Sequence, residues 1–397
     1  MQYRLLIIGG GASGLAAAVT AAQCGVDSVA LLERLPRPGK KILATGNGRC
    51  NLSHAGIVPG DYAGSFDVSQ ILANFGDAVA FFESLGLLCR TDGEGRIYPY
   101  SMTAAAVLDA LRMQLGGTSL LTDSQVTGLR PISGGWRVET ETASYTAARV
   151  IFAAGGHAAP KHGTDGTAWA MLDALGIPLV PPRPILCPLR SEAKLLRPLK
   201  GLRVRADVTL LDRGKAVRTE SGEVQFTETA LSGICLFNMA AHVDPSRIGD
   251  FSVRICVLPG HDPAAVLYAL QATRAGQTAE DMLTGIIHRP LARHVLKTTQ
   301  IRTDLPCEQL GYHEMQRLGD VLSGMVFPVT GLAGFDQAQA TAGGVRGDAL
   351  DDHLQVRSYP GLYVTGEAVD VHGPCGGWQL HWCWASGTAA AHHALGI

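Results

Sequence analysis

Near the N-terminus, Gly9-x-Gly11-x-x-Gly14 follows an apolar run, Leu5-Leu6-Ile7-Ile8. A strand that ends in this pattern can cradle a pyrophosphate. Gly9 permits the tight turn, Gly11 lets the backbone approach the phosphates, and Gly14 lets the next helix pack on the strand. The helix predicted over residues 12–24 is rich in Ala and Leu and points the amides of Ala12 and Ser13 at the anion. It ends at Gly25, a suitable left-handed cap. A second apolar strand, 28–32, leads to Glu33, nineteen residues past Gly14. A carboxylate there binds ribose hydroxyls and disfavours a 2′-phosphate. Strand, helix, cap, second strand and acid fall in the order a dinucleotide-binding βαβ unit requires, which by itself does not separate NAD from FAD.

The discriminating feature is Gly361-Leu-Tyr-Val-Thr-Gly366-Glu367, a late apolar strand ending in Gly-acid. In large flavoproteins with two dinucleotide folds such a strand returns to the first sheet, and its carboxylate binds the ribityl chain. NAD domains have no such return. Next, Gly373-Pro-Cys-Gly376-Gly377 leads into an apolar helix over 378–395, whose N-terminal dipole would stabilise negative charge on the N1/C2 edge of a reduced flavin. Strands are also predicted over 136–142 and 145–152, the second ending in Ala153-Ala154-Gly155-Gly156, a third cofactor-contacting turn. Arg34 and Val126 are assigned with Ala154 and Gly155 as further cofactor contacts.

Four segments carry a family resemblance. Lys40-Lys41-Ile-Leu-Ala-Thr-Gly-Asn-Gly-Arg49-Cys50-Asn51 resembles the Gly-Arg-Cys-Asn motif of the BaiN-like, aminoacetone-oxidase-like family of bacterial three-domain flavoproteins. Gly155 to Gly166 resembles its Gly-Gly-x-Ala-x-Pro segment, and Thr341-Ala-Gly-Gly-Val345 its Thr-x-Gly-Gly-Val segment. The last runs from Gly366-Glu367 through Gly376-Gly377 to Trp382-x-Trp384-Ala-Ser-Gly387. The resemblance spans the chain. It implies an α/β fold: a Rossmann-like, glutathione-reductase-type FAD-binding domain (1–185 and 335–397) split by a β-rich insert (186–259 and 324–334), which itself carries a helical subdomain (260–323). The family includes steroid double-bond reduction and small-amine oxidation, so the fold does not fix the substrate. This chain departs from its relatives where His372 replaces an Asp, Trp378-Gln379 replace a Tyr-Asn pair, and Phe226-Thr-Glu228-Thr-Ala230 replaces a glycine-bearing run.

The remaining chain agrees with that organisation. At 397 residues it exceeds one ordinary core, and 46% hydrophobic residues with 48 glycines suit an α/β protein with many tight turns. A net charge of -2 gives no reason to expect nucleic acid or an anionic membrane. Nine cysteines without a Cys-x-x-Cys pair argue for reduced thiols in the cytoplasm. No apolar run is long enough to span a membrane, and the four early glycines interrupt what would otherwise read as a short signal peptide. Residues 203–211 alternate, Asp212-Arg-Gly is a turn, and Val224 and Phe251 start further strands. Asp262-Pro263 and Thr278-Ala-Glu-Asp281 begin helices.

Each chemical candidate has a plainer alternative. Cys50 has no second cysteine nearby, so a packed, inert thiol is expected over a disulfide relay. Asn51 and Arg49 are expected at the flavin, while Lys41 reaches the phosphates or faces water. His372 and Trp378 are the candidate catalytic residues, His372 as general acid at the flavin edge or simply a loop histidine. Trp382 and Trp384 are expected in the core. His157 and His162 lack metal-ligand spacing, and no metal site is expected. The basic residues Arg190, Lys194, Arg197, Lys200, Arg203 and Arg205 alternate with Leu and Val, as on the solvated face of strands. The leading functional expectation is an FAD enzyme that passes hydride from NAD(P)H through flavin N5 to a small organic acceptor with an activated double bond. With no second glycine fingerprint, NAD(P)H would bind only transiently. The alternatives are an FAD oxidase of a small amine using O2 and a non-catalytic flavin-bound sensor or assembly protein.

Overall fold

In the computed structural model, which describes residues 2–397, the strand Tyr3–Ile8 is central to a seven-stranded sheet. Its parallel neighbours are Val29–Leu32 on one side and Ser144–Phe152 on the other. Ser119–Leu121 extends the first side, and Leu362–Val364 pairs parallel with Ser144–Phe152. The late strand therefore does return to the first sheet. Leu5 and Ile7 join a core with the helix Ala12–Gln23, whereas Leu6 and Ile8 join a second with Val150, Phe152 and Trp382. Burial on both faces is the reason the strand reads as an unbroken apolar run rather than an alternating one.

The helix Ala12–Gln23 is buried along Ser13–Ala21 and carries no polar face, as expected of a helix covered on all sides. Its cover is the helix Trp378–Leu395. A Cβ at Gly387 would overlap the Ser13 carbonyl, so the two backbones meet there. Trp382 and Trp384 are fully buried, their indoles donating to the Gly366 and Leu52 carbonyls. The second strand begins at Val29 rather than 28, because Ser28 sits at φ 60°, outside the extended region. Gly135–Thr140 and Val126–Ile132 form an antiparallel hairpin on the outer edge of Ser144–Phe152.

The chain divides into two compact units, one comprising the residues up to Pro184 with Phe335–Ile397, the other Ile185–Gly334. The second unit contains a seven-stranded antiparallel sheet and the helices Pro263–Thr273, Ala279–Leu283, Arg289–Thr298 and Tyr312–Ser323. Its long hairpin, Arg203–Asp212 with Lys215–Phe226, turns at Arg213 and Gly214, both at positive φ. Val224 lies near the end of that second strand instead of starting one, because the pairing with Arg203–Asp212 runs on past the turn without a break in chain direction. Asp262 and Thr278 cap their helices through side-chain oxygens, each satisfying a first-turn amide. Of the basic residues expected on the face of strands, only Arg190, Arg203 and Arg205 are on strands. Lys194 lies in the short helix Ala193–Leu196, and Arg197 and Lys200 lie in the turns that follow, where they pair with Glu228, while Arg203 pairs with Glu223 on solvated surface. Among the described residues no helix is long and apolar enough to cross a membrane.

Candidate functional site

At the C-terminal ends of the parallel strands, the first unit encloses a cavity of about 580 Å³, within the ~300–1,000 Å³ range of ligand pockets. Gly9 to Ser13 form part of its wall. Gly9 has φ 102°, and a Cβ there would lie 2.5 Å from the Ala153 carbonyl oxygen, so the turn must press against the neighbouring strand end. Gly14 lies outside the wall, where a Cβ would overlap the Gly9 carbonyl; its work is to seat the helix. Gly11 differs from both. Nothing lies within 4 Å of a Cβ built on it, so no protein packing demands glycine there, and the space it leaves open adjoins the cavity. Beside it, the first helical turn presents amides that have no intrahelical acceptor.

Glu33 closes one end of this wall. Its buried carboxylate accepts from the Gly10 and Leu35 amides, both at 2.8 Å, and so holds the glycine loop as well as facing the cavity. Burial raises its pKa against the opposing pull of those two bonds. Arg34 lines the same end and pairs with Asp165 at 3.0 Å, where the guanidinium and Thr167 hold the Asp165 carboxyl down at about 2 despite its partial desolvation. Val126, Ala154 and Gly155 also line the cavity.

At the other end, Glu367 accepts from the Lys41 ammonium at 2.8 Å and from the Thr341 amide at 2.9 Å. Lys41, Glu367 and Gln379 all line the cavity. Gln379 also accepts from the Gly373 amide, tying the glycine-rich turn to the helix it precedes. Cys383 faces the same region, its thiol pushed up to about 12 by burial and by the nearby Glu367 charge.

Several expected site residues lie outside the cavity wall. Of the Lys40–Asn51 segment, Lys40, Lys41, Ile42 and Thr45 line it, but none of Gly48-Arg49-Cys50-Asn51 does: Arg49 is exposed and Cys50 is fully buried. Burial pushes the Cys50 thiol up to about 12, which keeps it protonated and unreactive. Asn51 Oδ1 is buried without a hydrogen-bond partner. Gly366 supports the sheet end, its amide bonded to Ser386. Gly376 and Gly377 are at φ 124° and 120°, and a Cβ on Gly377 would overlap the Ser53 backbone, so that turn serves close packing. Trp378 stacks on His54 with centroids 4.3 Å apart and donates to Asp61 at 2.9 Å. His372 is buried in a two-residue strand paired with Ala63–Gly64. Conversely, the wall includes Gln125, Met171, Gln339 and Cys383, none of which stands out by type or spacing, together with His162 and Thr164 from the Gly155–Gly166 segment. Among the described residues no cluster of His, Cys, Asp or Glu side chains is placed to hold a metal.

These residues fit a dinucleotide: a loop kept open at Gly11, free first-turn amides, and carboxylates at the two ends of one cavity. The comparison with known proteins agrees. Residues 3–393 match the HI0933-like protein Rossmann domain. The chain is 35% identical to the 3-dehydro-bile acid delta(4,6)-reductase of Clostridium scindens, over 98% of each chain. It is 26% identical to the ribosomal RNA dihydrouridine synthase of Escherichia coli K12 (99% of this chain, 98% of that one) and 25% identical to that of Haemophilus influenzae (97% of each). The chain belongs to the HI0933-like Rossmann family, the BaiN-like FAD-dependent oxidoreductases whose motifs it carries.

Proposed function

We propose that the protein binds FAD in this cavity and uses it to reduce a carbon–carbon double bond of a small organic molecule, with NADH or NADPH as electron donor. The observation that carries the reading is the single wall running from Glu33 past Gly9–Ser13 to Glu367 and Gln379. The name of the 35% identical relative, a delta(4,6)-reductase of a bile acid, adds support for a small-molecule acceptor, while the 26% and 25% identical relatives are named for making dihydrouridine in ribosomal RNA and support only the reduction of a double bond. When bound, FAD supplies two-electron chemistry at its isoalloxazine ring, and the protein contributes position and electrostatics.

In this reading Gly11, Ala12 and Ser13 bind the pyrophosphate through backbone amides. Glu33 orients the ribose, with Arg34 and Val126 beside it. Glu367 faces the ribityl hydroxyls, and Lys41, already held by Glu367, keeps further donors for an anion. Ala154, Gly155 and Gln379 complete the contact surface. Leu129, Met171 and Ala174 give the wall apolar patches that exclude water. No proton step is assigned to His372 or Trp378, which lie outside the wall.

Anaerobic mixing of the FAD-loaded protein with NADH or NADPH tests the reading. Rapid bleaching of the flavin bands is expected, followed by recovery on adding an α,β-unsaturated ketone. No bleaching by either nucleotide beyond a buffer control would sink the donor assignment.

A further inference from the structure

Thr341 lies outside the cavity wall, yet its bonds reach Glu367 in the wall and the backbone just after Gly155, which also lines it. The side chain is fully buried, and Oγ1 accepts from the His157 amide at 2.9 Å and the Ala158 amide at 3.0 Å. Its own amide donates to Glu367 Oε1 at 2.9 Å. Lys41 holds the other oxygen of the same carboxylate. One threonine thus clamps the turn that begins at Gly155 to the carboxylate of Glu367. The clamp is tight: a Cβ on Gly156 would lie 2.6 Å from Thr341 Oγ1 and 2.7 Å from Glu367 Oε1.

We propose that Thr341 is a positioning residue for the bound dinucleotide, fixing the Gly155 turn and the Glu367 carboxylate in one geometry. The proposal rests on the FAD reading above. A purely packing role for a fully buried threonine would be served as well by valine, which has the same shape. Valine, however, offers no acceptor, so both amides would lose their partner, the Ala158 amide in a fully buried position, and the turn would have to move to satisfy them. Serine keeps the oxygen while giving up a methyl group. The two variants therefore separate hydrogen bonding from packing.

The experiment titrates flavin-free wild type, Thr341→Ser and Thr341→Val with FAD, following flavin fluorescence and the visible bands of the bound cofactor, beside thermal melts of the flavin-free proteins. Thr341→Ser should bind FAD within about threefold of wild type with the same band positions. Thr341→Val should bind about tenfold or more weakly, the worth of one ordinary hydrogen bond, with displaced bands. Should Thr341→Val not fold, Thr341→Cys, whose sulfur is a weak acceptor, carries the same expectation. Wild-type affinity and spectrum in the valine or cysteine variant would overturn the proposal. So would a serine variant as impaired as the valine one. Failure of wild type itself to bind FAD would overturn the cofactor reading, and the proposal with it.

Discussion

Gly11→Ala separates what glycine does for the fold from what it does for the ligand. Gly11 has φ −80° and ψ −165°, a conformation alanine adopts freely, and an added Cβ meets nothing within 4 Å. Replacing a glycine N-cap by alanine costs up to about 1 kcal/mol, and restricting the unfolded chain returns about 0.4–1 kcal/mol. The flavin-free variant should therefore unfold within about 1 kcal/mol of wild type. Its binding should not survive so well. The methyl group projects into the space where the pyrophosphate approaches, and losing one amide-to-phosphate hydrogen bond costs about 1.5–3 kcal/mol, or roughly 10–150-fold in affinity. Gly14→Ala is the control, because its Cβ would overlap the Gly9 carbonyl. That variant should lose about 1–3 kcal/mol or more without any ligand. Urea denaturation of the flavin-free proteins and FAD titration by fluorescence give both quantities. Unchanged FAD affinity in Gly11→Ala would refute the assignment of that open space to the cofactor, as would a stability loss equal to that of Gly14→Ala.

Two further outcomes follow from buried groups. His381 Nδ1 and Ser53 Oγ are hydrogen-bonded at 2.8 Å, and burial lowers the His381 pKa from 6.5 to about 4 in spite of the nearby Asp77 charge. The folded state thus favours the neutral ring. The associated stability is complete above pH 6.5 and lost as pH falls toward 4, a change of about 3 kcal/mol at most. Urea melts at pH 7, 5.5 and 4 should show this slope in wild type and a flatter one in His381→Gln; equal slopes would contradict the assignment. The Cys50 thiol, buried and pushed up to about 12, should resist iodoacetamide at pH 8 in the native protein and react only after unfolding, as read by peptide mass mapping. Native-state labelling at Cys50 would reopen a redox role for the Gly-Arg-Cys-Asn loop.

Much of this protein was legible in the chain because the relevant physics is local. An apolar run buried on both faces, three glycines with distinct steric duties and a carboxylate one strand later specify a βαβ nucleotide unit within about thirty residues. The Gly366-Glu367 strand was legible for the same reason, and it does join the first sheet. What lies across the cavity from these segments was not. Met171, Gln339 and Cys383 have ordinary types at ordinary spacings, and they become a wall only when the sheet and the C-terminal helix bring them together. The same limit applies to the residues singled out by motif. Arg49, Cys50, Gly376, Gly377 and Trp378 sit in recognisable patterns, yet none of them lines the cavity wall. Sequence spacing determines which residues share a strand end or a helix turn. Which side of a loop faces a cavity depends on contacts with segments hundreds of residues away, as when Thr341 fixes Glu367 against the turn after Gly155, and only the tertiary structure decides those.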